Sequence, residues 1–346
     1  MFVAWRDLRF ARGRFALMGT VIVLITLLVG LLSGLTAGLA RDNTSAVTGL
    51  SADHLAFAAP PSGQSASFTG SQLPSGAART WAAQPGVRSA QPVAIDTRNA
   101  AADSRTAAVS EFAVRPGSGL APVAVSSGSV VLSAGAAKSL GAAAGNTVEV
   151  AGKRLKVTAV AGHDSYSHTP VVWTALPADA DATVVALTTD GADLAAGDRA
   201  AGTRTLTLDG SLSALPSYQA ENGSLQLMRG FLFVISALVI GAFFTVWTIQ
   251  RSGDIAVLKA LGASTPYLLR DALGQAVLML LAGSLLGTAL AAGAGAVVPA
   301  DVPFVLDPLT TLTPAAVIVA LGVLGAALSI RRITAVDPLT ALGSAR

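Results

Sequence analysis

Cysteine is absent from this chain, and charge is scarce: Asp, Glu, Lys and Arg together make up only 12% of its residues. Without cysteine there is neither a disulfide framework nor a thiolate metal site. The histidines are His54, His163 and His168; the last two lie five apart in a stretch of turn formers, a set too sparse to close a zinc site without cysteine. A net charge of +3 is too small to argue for nucleic acid, and the basic residues gather beside apolar runs instead. A phosphate-cradling G-x-x-x-x-G-K-[ST] loop is also missing. Its nearest candidate, Gly145 to Lys153, has the wrong spacing and Arg154 where a hydroxyl is required, so the chain cannot hydrolyse ATP through that motif. No G-x-S-x-G elbow occurs.

The chain has apolar length in their place. Hydrophobic residues reach 52%, above the soluble norm. Four uncharged or nearly uncharged runs stand out: Phe15 to Leu39, Leu225 to Ile249, Ala272 to Val298 and Pro314 to Ile330. The first three exceed the roughly 20 residues that cross a bilayer as a helix, and the fourth reaches the lower limit. The first is too long for the roughly 7–15 apolar residues of a signal peptide, so a retained membrane helix is expected. Arg6, Arg9, Arg12 and Arg14 precede it, Arg251, Lys259 and Arg270 lie between the second and third runs, and Arg331 and Arg332 follow the fourth. This positive-inside pattern puts both termini in the cytoplasm. No charge lies deep in the last three runs, which argues against a proton-relay transporter. Gly30, Gly34 and Gly38 share one face of the first run, and Gly283 and Gly287 one face of the third. Such small-residue stripes let another helix approach closely in lipid.

Between the first and second runs the character changes. Ser, Thr, Asp, Gly and Pro are frequent, and short β-like segments recur at 54–57, 87–95, 107–114, 129–132, 147–150, 155–160, 170–174, 183–188 and 204–208. Ser133 to Leu140 reads as a short helix closed by Gly141. The expected fold class is therefore an α-helical membrane protein with four transmembrane helices and a mixed α/β extracellular domain inserted between helices 1 and 2. Its layout is a cytoplasmic basic segment 1–14, helix 15–40, extracellular domain 41–219, helix 220–250, cytoplasmic coupling loop 251–266, helix 267–298, extracellular loop 299–313, helix 314–330 and cytoplasmic tail 331–346. The expected location is the plasma membrane.

The loop RSGDIAVLKALGASTPYLLR, Arg251 to Arg270, places Ile255, Leu258 and Leu261 at helical spacing and follows them with Gly262, a plausible stop. An apolar stripe on a cytoplasmic loop needs something to cover it. The segment DIAVLKALGAS, the outer stretch VVLSAGAAKSLGAAAGNTVEVAGKRLKVTAV and the closing VDPLTAL resemble the FtsX/MacB-type permeases of ABC transporters. The likeness covers essentially the whole chain, with Asp254 where that family usually has Glu. It implies a non-enzymatic, homodimeric permease served by two copies of a separate ATPase. Asp254, Ile255, Leu258, Lys259, Leu261 and Gly262 would then form the coupling helix that docks on each ATPase.

Two further stretches, Pro216 to Phe244 and HDSYSHTPVVWTAL (His163 to Leu176), resemble the haem-export permeases of the HrtB type. That resemblance implies haem as the exported ligand, with Tyr166, Tyr218, Glu221 and Met228 at the matching positions. Independently of it, Tyr218, Glu221, Leu225, Met228 and Leu232 share one face if the helix begins this early, and Phe231 borders that face. Tyr, Met and carboxylate oxygen can all ligate iron, so Glu221 and Met228 are the candidate iron ligands. Arg229 or Arg41 would pair with propionates. Haem would be cargo rather than a resident cofactor. The same architecture also serves permeases for other amphiphiles (peptide antibiotics, lipoproteins, lipids) and transmitters that activate a cell-wall hydrolase.

Overall fold

A computed structural model describes residues 12–250, 253, 257, 259, 261–299 and 302–334. The expected basic segment up to residue 11, the coupling residues Asp254, Ile255 and Leu258, and the tail from 335 onward lie outside the described residues. The helices are α1 (Arg12–Thr48), α2 (Ala77–Ala82), α3 (Ala134–Leu140), α4 (Leu194–Ala201), α5 (Pro216–Gln250), α6 (Thr265–Ala296) and α7 (Pro308–Thr334). The strands are β1 (His54–Ala58), β2 (Val87–Ala102), β3 (Arg105–Val114), β4 (Ser129–Leu132), β5 (Thr147–Val150), β6 (Lys153–Val160), β7 (Ser165–Tyr166), β8 (Thr169–Ala175), β9 (Val184–Thr189) and β10 (Thr203–Thr207). They form two compact units: a helical unit, up to Leu39 and from Ser224 onward, and an α/β unit, Ala40–Gly223.

In the helical unit, α1, α5, α6 and α7 are each long and apolar enough to cross a membrane. Their shared core is built from Met18, Ile22 and Val29 of α1, Ile240, Phe244 and Trp247 of α5, Ala276, Met279 and Leu280 of α6, and Ile318 and Ala326 of α7. Lipid supplies no hydrophobic drive between helices, so they gain by close van der Waals packing. Gly283 and Gly287 provide it, since a Cβ at either would lie 2.7 Å from Ile22 or from the Val23 carbonyl of α1. The glycine stripe of α1 is filled differently from a simple helix–helix seam. Gly30 meets Ala291 of α6, while Gly34 and Gly38 are covered by Phe304 and Pro303 of the connection between α6 and α7. The Val305 N–H donates to the Gly34 carbonyl at 3.1 Å, fastening that connection to the helix.

Several helix boundaries differ from the sequence reading, and two of them have a visible local cause. α7 begins at Pro308 and carries Pro314 inside it. Pro308 suits a first turn that needs no N–H, and the Thr310 hydroxyl accepts from Asp307 N–H at 3.1 Å, so the start precedes the expected loop end at 313. α1 runs eight residues past Ala40 because its polar end, RDNTSAVT, still has something to bury: Ala46 and Val47 are inside the α/β core.

The α/β unit is organised by one sheet in the order β10-β1-β9-β2-β3-β8-β4-β6-β5. The long β2 also pairs with β5 through Ala100↔Val150 and Ala101↔Glu149. The pairings β2-β3-β8-β4-β6-β5 therefore close on themselves around Val109, Val130, Leu132, Val148, Val157 and Val172, capped by Leu140 of α3. α3 is stopped by Gly141 at φ +64°, as the sequence reading anticipates. A second core holds Phe57, Phe68, Phe112, Tyr166 and Trp173 with Ala46, Val47 and Leu50. Its rings meet edge-on or tilted, with centroids 4.9–5.7 Å apart.

Gly38→Ala is expected to lower the melting temperature of the detergent-solubilised protein and to expose the 302–307 connection to protease, because its Cβ would overlap the Pro303 carbonyl oxygen. Overpacking of this kind costs about 1–3 kcal/mol. Gly293→Ala, which meets open space, should be neutral or slightly stabilising. Equal melting of the two variants would contradict the packing described.

Candidate functional site

The polar end of α1, the first turns of α5 and the tip of one hairpin converge within the α/β unit. The hairpin is β7–β8, paired through Ser165↔Pro170 and Tyr166↔Thr169, which leaves Ser167 and His168 as its two-residue loop. Both have positive φ, +50° and +61°, the signature of a type I′ turn that usually recruits Gly or Asn. Neither residue is of that kind, so the surroundings must hold the turn in place. They do so at several points. The Ser167 N–H donates to the Asn43 carbonyl at 2.9 Å. Ser45 Oγ accepts from Ser165 N–H at 2.9 Å and donates to the Ser165 carbonyl at 3.2 Å. Ser167 Oγ donates to Ser217 Oγ at 3.1 Å, and Ser217 Oγ to Asn43 Oδ1 at 2.8 Å.

His168 then reaches both helices. Its Nδ1 lies 3.1 Å from Asp42 Oδ2 on α1, and its Nε2 lies 2.9 and 3.0 Å from the two carboxylate oxygens of Glu221 on α5. Asn43, which is fully buried, donates from Nδ2 to Glu221 Oε2 at 3.2 Å. Burial by itself would lower the pKa of His168. The hydrogen bonds to Asp42 and Glu221, joined by the charge of both carboxylates, outweigh that and raise it above the ordinary 6.5. Among the described residues no group of three or more His, Cys, Asp and Glu is arranged to hold a metal ion. The Asp42–His168–Glu221 set is a hydrogen-bonded chain and not a chelate.

The residues that the sequence reading grouped are divided between the two units. Glu221 is half-exposed and engaged as described. Tyr218 packs partly buried against the aromatic core. Tyr166 is only 6% exposed, its ring between Phe68 and Phe112. Burial pushes its phenol above the ordinary value of 10. The alternation of β7 sends this ring into the core and leaves the following turn at the surface. Met228 and Arg229 belong to the helical unit. Met228 is 48% exposed on α5, together with Leu227, Phe231, Val234, Ile235 and Leu238. The Arg229 guanidinium lies 6.0 Å from the Phe233 ring centroid, within cation–π range.

Of the coupling segment, Gly253, Val257 and Lys259 are helical, and the Leu261 N–H donates to the Val257 carbonyl at 3.0 Å. Gly262, at φ +92°, ends the turn. Leu261 is 78% exposed. Sequence reasoning missed Asp42, Asn43, His168 and Ser217. The available signals were the run of polar residues ending an apolar helix and a Ser-His pair between two β-like segments.

Comparison with known proteins places this architecture. The MacB-like periplasmic core domain family matches residues 16–203, more than half of the chain, and the FtsX-like permease C-terminal family matches residues 227–338. A putative hemin transport system permease protein HrtB of Staphylococcus haemolyticus is 40% identical over 129 residues, 37% of each chain. Its counterpart in Staphylococcus epidermidis is 31% identical over 142 residues, 41% of each. The chain thus spans about two-fifths of the length of these curated relatives. The solved periplasmic region of MacB from Actinobacillus actinomycetemcomitans covers 47% of this chain and 92% of its own length, with 12% identity and a TM-score of 0.37.

Asn43→Leu should destabilise the full-length protein by about 1–3 kcal/mol, since it strips a buried partner from Ser217 and Glu221 at once. Thermal or denaturant unfolding in detergent measures this. A change near zero would show that the network does not hold the hairpin.

Proposed function

We propose that this chain, which belongs to the MacB-like periplasmic core domain family and carries an FtsX-like permease C-terminal region, is the permease subunit of an ABC-type efflux pump that exports haem. It would work as a homodimer with two copies of a separate ATPase, both termini in the cytoplasm and the α/β unit outside the membrane. The observation that carries the haem reading is α5 itself. One helix bears Tyr218 and Glu221 near its polar start and Met228, Arg229 and an exposed apolar face with Phe231 farther along. Glu221 and Met228 are seven residues apart, two helical turns, and so fall on nearly one face. A carboxylate and a thioether are iron-ligating groups, and an arginine suits a propionate. An apolar strip suits a porphyrin that partitions into lipid. The hemin-transport names of two relatives support the same cargo.

Haem would enter sideways from the outer leaflet, between the first and second membrane helices of the two protomers. ATP-driven closure of the ATPases would push the coupling helices, squeeze the outer-side pocket and release the ligand outward. Lys259, the exposed Leu261 and Gly262 are the described part of the coupling helix that the ATPase would cover.

Haemin titrated into the purified protein in nanodiscs should give a Soret band, and Glu221→Gln combined with Met228→Leu should weaken binding at least about tenfold, roughly 1.4 kcal/mol. An unchanged band and affinity would sink the ligand assignment. Leu261→Glu should leave haemin binding intact while reducing co-purification of the ATPase by a similar factor; undiminished co-purification would remove the coupling role.

A further inference from the structure

The long β2 changes partners along one of its sides, and the change leaves a gap. It pairs with β3 over 93–102. On its other side it follows β9 only as far as Val93↔Val184 and meets β5 from Ala100 onward. Residues 94–97 between these points line a cleft of about 520 Å³, and the rest of its lining comes from 68–72, 181–183 and Tyr166. Hydrogen bonds hold the walls in place. Thr183 Oγ1 accepts from Ile95 N–H at 2.8 Å, and Leu73 and Ala182 exchange backbone bonds of 2.7 and 2.9 Å. Ser71 Oγ accepts from Ala58 N–H at 2.8 Å and donates to the Thr183 carbonyl at 2.6 Å. The cleft is thus formed before anything enters it, as ligand sites usually are. We propose that it is a binding site for a small polyhydroxylated amine, with the ammonium at Asp181 and a ligand oxygen on the Tyr166 phenol. The inference stands apart from the haem reading, since it invokes neither Glu221 nor Met228.

Tyr166 supplies the observation that points to a ligand. It is 6% exposed and lines the cleft beside Phe68, yet its phenol oxygen has no hydrogen-bond partner among the described residues. The bonds that Tyr166 does accept, from Ser110 Oγ and Thr169 Oγ1, end on its backbone carbonyl. A buried hydroxyl left unpaired is costly, and native structures supply such groups with partners. Burial keeps the proton on this phenol, so it offers an O–H to an acceptor in the cleft.

The charge of the lining selects the rest of the ligand. Asp96 and Asp181 are its charged residues, and it contains no Lys, Arg or His. Asp96 has the Arg98 guanidinium beside it at 3.0 Å. Asp181 is met by a neutral partner instead, the Gln72 amide N–H at 3.0 Å. An ammonium at Asp181 makes a charge-assisted hydrogen bond, whereas an anionic group there is repelled. The backbone adds neutral polar groups. Val93 and Ile95 turn theirs away from β3, as the bonds from Thr183 N–H to the Val93 carbonyl and from Ile95 N–H to Thr183 show. Thr97, two residues on, turns its N–H and carbonyl the same way, past the end of the β9 pairing and before that of β5. With the hydroxyls of Thr69 and Thr97, these groups suit a ligand that bears several hydroxyls of its own.

The test uses full-length protein in nanodiscs of neutral lipid, with empty nanodiscs as the blank. The probes are D-glucosamine, D-glucose and D-glucuronate in mildly acidic buffer, where the amine is charged, and ligand NMR line broadening follows binding. Glucosamine should bind with a Kd on the order of 1 mM, the range open to so small a polar ligand. It should bind about tenfold tighter than glucose, and glucuronate should not bind at that concentration. Asp181→Asn should abolish the advantage of glucosamine over glucose. Tyr166→Phe, which keeps the ring and removes the O–H, should weaken both sugars about two- to tenfold. The same substitution should leave the melting temperature of the ligand-free protein unchanged or raise it, because no partner within the fold is lost. A fall in melting would show the phenol already bonded and overturn the site. Glucosamine that fails to bind at about 10 mM, or binds no better than glucose, overturns the amine assignment. Binding untouched by both substitutions lies elsewhere on the protein and overturns the cleft.

Discussion

Hydrocarbon offers a peptide group no hydrogen-bond partner, and this constraint shapes the helical unit more than any single contact. It dictates helices that satisfy their own backbone, and it removes the hydrophobic drive that would pack them in water. Shape has to do that work instead. Gly283 and Gly287 let the backbone of α1 come close, and Gly34 and Gly38 let a non-helical connection lie against the same helix. That connection obeys the same constraint: its Val305 N–H is given the Gly34 carbonyl as a partner. The stripe of small residues therefore serves as a seat for irregular backbone as well as for another helix.

Water imposes the opposite condition on the α/β unit, where apolar side chains gain by leaving solvent. The sheet answers by closing β2 onto β5 and by stacking aromatic rings beneath the end of α1. α1 and α5 are thus amphibious. Each is one unbroken helix, apolar over much of its length, with a polar end whose side chains are spent on the hairpin tip. Asp42, Asn43 and Ser45 on α1, and Ser217 and Glu221 on α5, are the residues through which these helices are tied to the sheet.

Much of this was legible in the residues themselves. Runs of 17 or more apolar residues without deep charge announce helices in lipid, and the nine short β-like segments of the outer stretch all fall on strands. The stop at Gly141 follows from ordinary helix chemistry. The hairpin was not legible, for a physical reason. A type I′ turn is recognised by Asn-Gly or Asp-Gly, and Ser167-His168 carries neither; the turn exists because distant groups hold it. Those groups lie 126 and 53 residues away from His168 in the sequence, too far for any local pattern to reveal. The direction of the Tyr166 ring was not legible for a related reason. Its alternation partner in a two-residue strand gives too short a period to show which way the ring points.

The two ends of α5 differ in what chemistry they can do. At Glu221 a carboxylate meets an imidazole. Toward Gln250 the buried residues are Ile240, Phe244, Trp247 and Thr248, and no charged residue lies between Phe231 and Gln250. A helix of 35 residues is about 52 Å long at 1.5 Å per residue. An event at one end cannot reach the other through that apolar packing as a moving charge.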